Sequence, residues 1–209
     1  MDSFCLSAKN LSCIRSEKVL FSDLSFELNP GEILHITGAN GSGKTSLLRI
    51  LSCLAPPETG EVFWGDAPIL HVRSAYLSNL AYIGHWACVK NELTVLENLA
   101  NFNALGCQAP LLNYAQALAE VGLSAYQNTF VRQLSAGQKR RVALSCLLLQ
   151  ERKLWILDEP QTALDKNALT TLEDMIAHHV RGGGMLVVTS HQQIHLPTVT
   201  IKQLRIGSP

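Results

Sequence analysis

The hydrophobic pattern changes period several times along the chain, and each change predicts a change of element. Short alternating runs at residues 4–11 and 24–28, the second with Phe26 and Leu28 on one face, are bounded by turns and followed by Asn29-Pro30-Gly31. That pattern predicts a hairpin-rich edge sheet. Residues 32–37 (EILHIT) form a short apolar strand that runs straight into a glycine-rich loop. Beyond the loop, residues 45–54 carry Leu47, Leu48, Leu51 and Leu54 at helical spacing, and Pro56-Pro57 ends the helix. Further strands are predicted at 61–64, after Gly60, and at 80–83.

Between residues 94 and 123 the period turns helical: Val95, Leu96, Leu99, Phe102 and Leu105 mark one helix, and Leu111, Leu112, Ala115, Leu118 and Val121 a second, with Pro110 between them. The β signal returns at 153–157, an apolar run after its lysine and so a strand buried on both faces. A helix at 165–180 closes on Gly182-Gly183-Gly184 and leads into an apolar strand at 185–189. Such alternation implies a parallel sheet with crossover helices. The predicted fold is therefore α/β, with a mostly parallel central sheet, an antiparallel β edge subdomain and an inserted helical lobe. Residues 1–209 suit one domain, with the core at about 1–90 and 150–209 and the helical subdomain at about 91–149.

Composition narrows the partners. Seventeen basic side chains face seventeen acidic ones, with no block of five or six like charges, so there is no positive field for tracking a phosphate backbone and no nucleic-acid partner is expected. The charged fraction of 16% lies below the roughly 25% usual in soluble domains, a hint that other subunits cover part of the surface. No window approaches the roughly 18 uncharged apolar residues of a membrane span. Met1-Asp2-Ser3-Phe4 lacks the basic and apolar regions of an export signal, so a cytosolic location is expected. Cys5, Cys13, Cys53, Cys88, Cys107 and Cys146 are scattered with no C-x-x-C pair, which predicts reduced, mostly buried thiols.

The loop after residue 37 carries the chemistry. Gly38-Ala39-Asn40-Gly41-Ser42-Gly43-Lys44-Thr45 fits G-x-x-x-x-G-K-[ST] at every fixed position, between a strand and a helix as the motif requires. Glycines let backbone N–H groups turn inward around a β-phosphate, and the helix N-terminus adds partial positive charge. Lys44 can neutralise β- and γ-phosphate oxygens and the Thr45 hydroxyl can ligate Mg²⁺, with Ser46 next in line. Leu154-Trp155-Ile156-Leu157-Asp158-Glu159 supplies the complement, a buried strand ending in two carboxylates at the edge where parallel sheets bind ligands. Asp158 can hold Mg²⁺ through its water shell, and Glu159 can orient and polarise an attacking water. The two motifs together read as a P-loop nucleoside triphosphatase.

Leu134-Ser135-Ala136-Gly137-Gln138 opens a helix running to residue 149, with Ser135 as N-cap. A Ser-x-Gly start exposes N–H groups able to grip a γ-phosphate, and on this reading the loop differs from an ordinary capping box. Here the sequence resembles the ATP-binding-cassette (ABC) ATPases, whose motif is L-S-G-G-Q; Ala136, a small residue in a glycine slot, is the departure. Ala163-Leu164-Asp165 resembles that family's D-loop, and Ser190-His191 after a strand resembles its switch histidine. The resemblance spans nearly the whole chain and implies a RecA-like core with cassettes stacked head to tail. Each ATP would then lie between the phosphate loop of one protomer and Ser135, Ala136, Gly137 and Gln138 of the other. It further implies Glu159 as general base, with His191 at the γ-phosphate and Lys44 on the phosphate oxygens as the other catalytic residues, Asp158 and Thr45 on Mg²⁺, and Asp165 at the dimer seam.

Two positions depart from the family. Counting back from Leu93-Thr94-Val95-Leu96-Glu97-Asn98 places His85 in the Q-loop glutamine position, a side chain whose charge changes near neutral pH, so coupling there is expected to be pH-sensitive. Where many cassettes stack an aromatic on adenine, this chain has Cys13-Ile14-Arg15, so that stack is either missing or replaced by the Arg15 guanidinium. Together with Leu20-Phe21-x-x-Leu24-Ser25-Phe26, Gly84-His85 and Arg140-Arg141-Val142-Ala143-Leu144, these residues are similar to the ATP-binding subunits of the bacterial cytochrome c maturation system, the haem exporter ATPases. Trp86-Ala87-Cys88 stands where that family usually has Gln-Pro-Gly. The resemblance implies ATP and Mg²⁺ as cofactors, a homodimer with a second cassette protomer, an integral membrane permease-like subunit and, indirectly, a periplasmic haem chaperone. It also implies a peripheral position on the cytoplasmic face of the bacterial inner membrane. His71, His85, His178, His179 and His195 are read as solvent or structural groups, since nothing pairs them as haem ligands around an apolar cleft. ATP motifs do not see cargo, so the residues alone leave open a cassette for another transporter or a soluble ABC ATPase.

Overall fold

A computed structural model describes residues 4–85, 89–105, 110–190 and 196–207. The first half runs β1 (Leu6–Arg15), β2 (Lys18–Leu28), β3 (Glu32–Thr37), α1 (Lys44–Leu51), β4 (Thr59–Trp64), β5 (Ala67–Pro68), α2 (Arg73–Ser78) and β6 (Leu80–Ile83). The second half runs α3 (Val95–Leu105), α4 (Tyr114–Glu120), α5 (Ala136–Ser145), β7 (Leu154–Asp158), α6 (Lys166–Arg181), β8 (Met185–Thr189) and β9 (Thr200–Arg205). Two sheets result: an antiparallel one ordered β2-β1-β4-β5, and a five-stranded one ordered β6-β7-β8-β3-β9. Every pairing in the second sheet is parallel.

Side-chain alternation along the parallel strands divides the core. Leu34, Ile36, Leu154, Ile156, Met185 and Val187 face α1, α2 and the antiparallel sheet. Ile33, Trp155, Leu157, Leu186 and Val188 face α3 to α6. Both faces of β7 and β8 are covered, which is why each reads as an unbroken apolar run.

Several boundaries differ from the sequence expectation. The first hairpin is longer, because β1 pairs with β2 on one side and β4 on the other, and its two-residue turn, Ser16 and Glu17, takes positive φ at both positions (47° and 64°). Helix α1 stops at Leu51, before the prolines: Cys53 is left-handed at φ 55°, and the N–H of Leu54 donates to the Arg49 carbonyl at 2.8 Å. That closing turn throws Leu54 out to 56% exposure instead of onto the apolar face. Helix α5 ends at Ser145, and Cys146–Leu148 continues as a 3₁₀ turn. Strand β9 and helix α2 had no sequence counterpart. β9 is a polar edge strand on β3, fixed by Lys202 against Glu32 at 2.6 Å. α2 is six residues anchored by buried Tyr76, whose hydroxyl donates to the Leu51 carbonyl at 2.6 Å.

Among the described residues no helix is long and apolar enough to cross a membrane. Cys5, Cys13 and Cys53 are free thiols; Cys13 and Cys146 are buried, with Cys146 Sγ 3.5 Å from the Val142 carbonyl; Cys88 and Cys107 lie outside the described residues.

Candidate functional site

The site forms at the carboxyl ends of the parallel strands. β3 delivers Thr37 into the loop of residues 38–43, and α1 begins at Lys44. The loop turns so closely that two of its glycines have no room for a side chain. A Cβ on Gly38 would lie 2.3 Å from the Ile206 carbonyl oxygen, and one on Gly43, which caps α1 at φ 106°, would lie 2.9 Å from Leu20 Cβ. Ala39, Asn40 and Gly41 are exposed along the rim. Lys44 is buried and folds back over the loop, its Nζ donating to the carbonyls of Gly38 (2.8 Å) and Ala39 (3.1 Å). The Ser42 hydroxyl is buried and has no hydrogen-bond partner among the described residues. A buried hydroxyl in that condition costs free energy until an acceptor reaches it, so the loop suits a phosphate.

Two strands away, β7 ends in Asp158, which is 2% exposed. Its carboxylate accepts from the Thr45 hydroxyl at 2.8 Å and from the Thr189 hydroxyl at 2.6 Å. A hydroxyl and a carboxylate side by side are hard oxygen donors of the kind Mg²⁺ takes when phosphate supplies further oxygens. Glu159 follows in a left-handed conformation, φ 48°, that an L residue adopts only under constraint. Its N–H donates to the Thr189 hydroxyl at 2.9 Å, so the hydroxyl at the end of β8 serves both acidic residues. His85 stands opposite, with Nδ1 3.8 Å from Glu159 Oε2.

Ser135 caps α5 as expected, but the loop is a full capping box, which corrects the sequence reading. The Ser135 hydroxyl accepts from the Gln138 N–H at 3.2 Å while Gln138 Oε1 accepts from the Ser135 N–H at 2.9 Å. Gln138 supplies the side chain that the box requires three residues on. The N–H groups of Ala136 and Gly137 are then the ones at the helix start that the box does not use. Gly137 lies against the segment after β7: a Cβ there would meet the Ala163 carbonyl oxygen at 2.4 Å. Ala136 is exposed, which explains why a methyl group is tolerated in its slot.

Asp165 caps α6, accepting from the Ala168 N–H at 2.9 Å. Arg15 is exposed at the tip of the β1–β2 hairpin, whose Leu20 packs on the phosphate loop at Gly43. His191 lies outside the described residues, as does His195. The structure brings in Thr189, His35 and Gln161, which the sequence did not single out, and gives contacts to Arg140 and Ser190, which it named without a role of their own. Thr189 and Arg140 touch the acidic segment, while His35 Nε2 donates to the Ser190 carbonyl at 3.2 Å and the Ser190 hydroxyl donates to Gln161 at 2.6 Å. Of these contacts only that of Arg140 carried a signal, a charged residue falling on the face of α5 that turns inward.

A glycine-rich loop facing an acidic strand end across a parallel sheet, with a separately capped helix whose first turn abuts the segment after that strand, is the arrangement of an ATP-binding-cassette ATPase. The chain belongs to the ABC transporter family, which residues 21–162 match, and within it to the CcmA proteins. It is 46% identical over 200 residues to the cytochrome c biogenesis ATP-binding export protein CcmA of Nitrosomonas europaea, covering 95% of this chain and 94% of that one. The protein of the same name from Escherichia coli K12 is 46% identical with 96% of each chain covered, and that of Vibrio cholerae 44% with 98% and 99%. In fold it matches the solved ATP-binding subunit of an ABC transporter, with TM-score 0.82 at 24% identity, 97% of this chain and 88% of that one. A dimeric ATP-binding cassette bound to ADP and Pi gives 0.76 at 22% identity, over 90% and 88%. Cassettes of this family bind ATP and act as dimers with membrane partners.

Proposed function

We propose that the protein hydrolyses ATP as a homodimer of cassettes and passes the resulting closure to a membrane complex of c-type cytochrome biogenesis. The backbone of residues 38–43 and Lys44 hold the β- and γ-phosphates, with the Ser42 hydroxyl and Ser46 completing the cradle. Thr45 and Asp158 hold Mg²⁺, which when bound neutralises charge on the phosphate oxygens. Glu159 takes the proton of the attacking water, His191 reaches the γ-phosphate and Arg15 faces the purine. Ser135, Ala136, Gly137 and Gln138 of one protomer meet the nucleotide held by the other, with Asp165 at the seam.

The observation that carries the ATP reading is the 2.8 Å bond from Thr45 to Asp158, which joins the phosphate loop and the acidic strand end into one oxygen-lined site. The biological reading rests on relatives named for cytochrome c biogenesis export at 44–46% identity over nearly the whole chain. The partners are then an integral permease-like subunit and, beyond the membrane, a haem chaperone. The work done is haem export or release of the haem-loaded chaperone, from a peripheral position on the cytoplasmic face of the inner membrane.

Tagged Glu159→Gln protein, purified with ATP from detergent-solubilised membranes, tests both levels. ATP binding should persist with hydrolysis abolished, and cytochrome c maturation membrane subunits should co-elute with a haem absorption band. Steady hydrolysis by this variant would overturn the base assignment. A different permease in the eluate would discard the haem assignment.

A further inference from the structure

We infer that Arg140 is a positioning residue that transmits the attitude of helix α5 to the segment bearing Glu159. The inference rests on the proposed roles of Glu159 and of residues 135–138 at the start of α5. Arg140 is 4% exposed, and its guanidinium reaches two other elements of the site at once. Nη2 donates to the Asp158 carbonyl at 2.6 Å and Nε to the Pro160 carbonyl at 3.3 Å. Nη1 donates to the Gly84 carbonyl at 2.8 Å and lies 3.5 Å from that of His85.

Those carbonyls bracket the hydrolytic residue. Asp158 and Pro160 are its two neighbours in the chain, and His85 is the residue whose ring faces the Glu159 carboxylate at 3.8 Å. Glu159 itself sits at φ 48°, so its direction depends on what holds the peptides on either side. Arg140 lies one helical turn beyond Ala136 and Gly137, the two residues whose N–H groups the capping box leaves for an anion. A helix moves as a rigid unit over one turn. A phosphate drawn onto its start therefore displaces the guanidinium, and with it the peptides around Glu159. Five donors in a planar fork suit this task; a lysine ammonium, a single point charge, cannot span the same carbonyls.

Arg140→Lys and Arg140→Gln in the full-length protein test the inference, beside Glu159→Gln as control. Mg²⁺-free ATP binding counts the competent sites, and kcat and KM are expressed per competent site so that partial misfolding does not enter. Mg²⁺-free ATP affinity and KM should stay within about twofold of the parent, while kcat falls by about tenfold or more, the scale of a small misplacement of reacting groups. Arg140→Ala should recover part of that kcat in millimolar guanidinium chloride, and not in methylammonium chloride. A kcat per competent site within twofold of the parent in both Arg140 variants, with Glu159→Gln inactive, would overturn the inference alone. Hydrolysis by Glu159→Gln would instead overturn the reading on which it rests.

Discussion

His179 is folded into the protein in a form that a proton disrupts. Its ring lies on the indole of Trp155 with centroids 3.9 Å apart and planes 4° from parallel, and Nε2 donates to the Met185 carbonyl at 3.1 Å. Room for the ring exists because residue 184 is glycine: a Cβ there would stand 2.2 Å from the imidazole Cε1. Burial holds the pKa down from 6.5 to about 4; the Met185 carbonyl opposes that shift and neighbouring His178 adds to it. The folded pKa is thus below the unfolded one, and the unfolded chain takes up the proton first as pH falls. The stability tied to a neutral His179 is fully present above about pH 6.5 and is lost progressively as pH drops towards 4.

Between pH 7.5 and pH 5 this loss amounts to about 2 kcal/mol, tending to about 3 kcal/mol in stronger acid. Other groups titrate over the same range, so the informative quantity is a difference between two proteins. His179→Phe keeps a flat ring against Trp155 and cannot titrate. Urea unfolding of both proteins at both pH values should show the parent losing about 2 kcal/mol more than the variant. Equal losses in the two would refute the argument, since the acid sensitivity would then come from elsewhere.

Two further substitutions test the local geometry. Thr189→Val deletes the hydroxyl shared by Asp158 and the Glu159 N–H, and should cost about 1–3 kcal/mol in urea unfolding and raise the Mg²⁺ concentration for half-maximal hydrolysis. Thr189→Ser should restore both, and a valine variant with unaltered Mg²⁺ dependence would separate Thr189 from the metal site. Gly137→Ala places a methyl group 2.4 Å from the Ala163 carbonyl, so it should lower both the thermal midpoint and the hydrolysis rate although alanine is the better helix former by about 1 kcal/mol. A raised midpoint with full activity would contradict that packing.

The placement of the glycine-rich loop between β3 and α1, and of Asp158 at the end of β7, was legible because both motifs have fixed residue types at fixed spacing beside short apolar strands. β3, β6 and β8 were read with their observed bounds because each is a short, mostly apolar run set between polar or turn-forming residues. What the sequence concealed depends on tertiary contact. β9 is polar and stands at a sheet edge, so only its pairing with β3 makes it a strand. The end of α1 is set by a left-handed Cys53, a residue type that carries no turn signal, and not by the prolines that follow. The capping box was set aside on sequence because Ser135 and Gln138 also fit an ATP-binding-cassette motif, although their spacing of three is that of a box. Thr189 was invisible because nothing in an apolar strand marks its last residue as the one standing between Asp158 and the Glu159 N–H.

The segment from Asp158 to Asp165 carries two non-glycine residues at positive φ, Glu159 at 48° and Ala163 at 65°. Each such residue costs on the order of 1–2 kcal/mol, and neither would persist on local preference alone. Both are held from the same helix. Arg140 binds the carbonyls on either side of Glu159, and Gly137 lets the Ala163 carbonyl approach to where a side chain would stand. Between them the turn closes through the Thr162 N–H on the Glu159 carbonyl and the Leu164 N–H on that of Gln161. The start of α5, from Gly137 to Arg140, is thus the mould against which the acidic segment is set. A glycine at residue 159 would relieve the strain and remove the carboxylate, so on the proposed function the strained conformation goes with the need for a side chain there. Because Ala136 and Gly137 begin that same helix, whatever binds their N–H groups acts on the segment's geometry as well as on its own site.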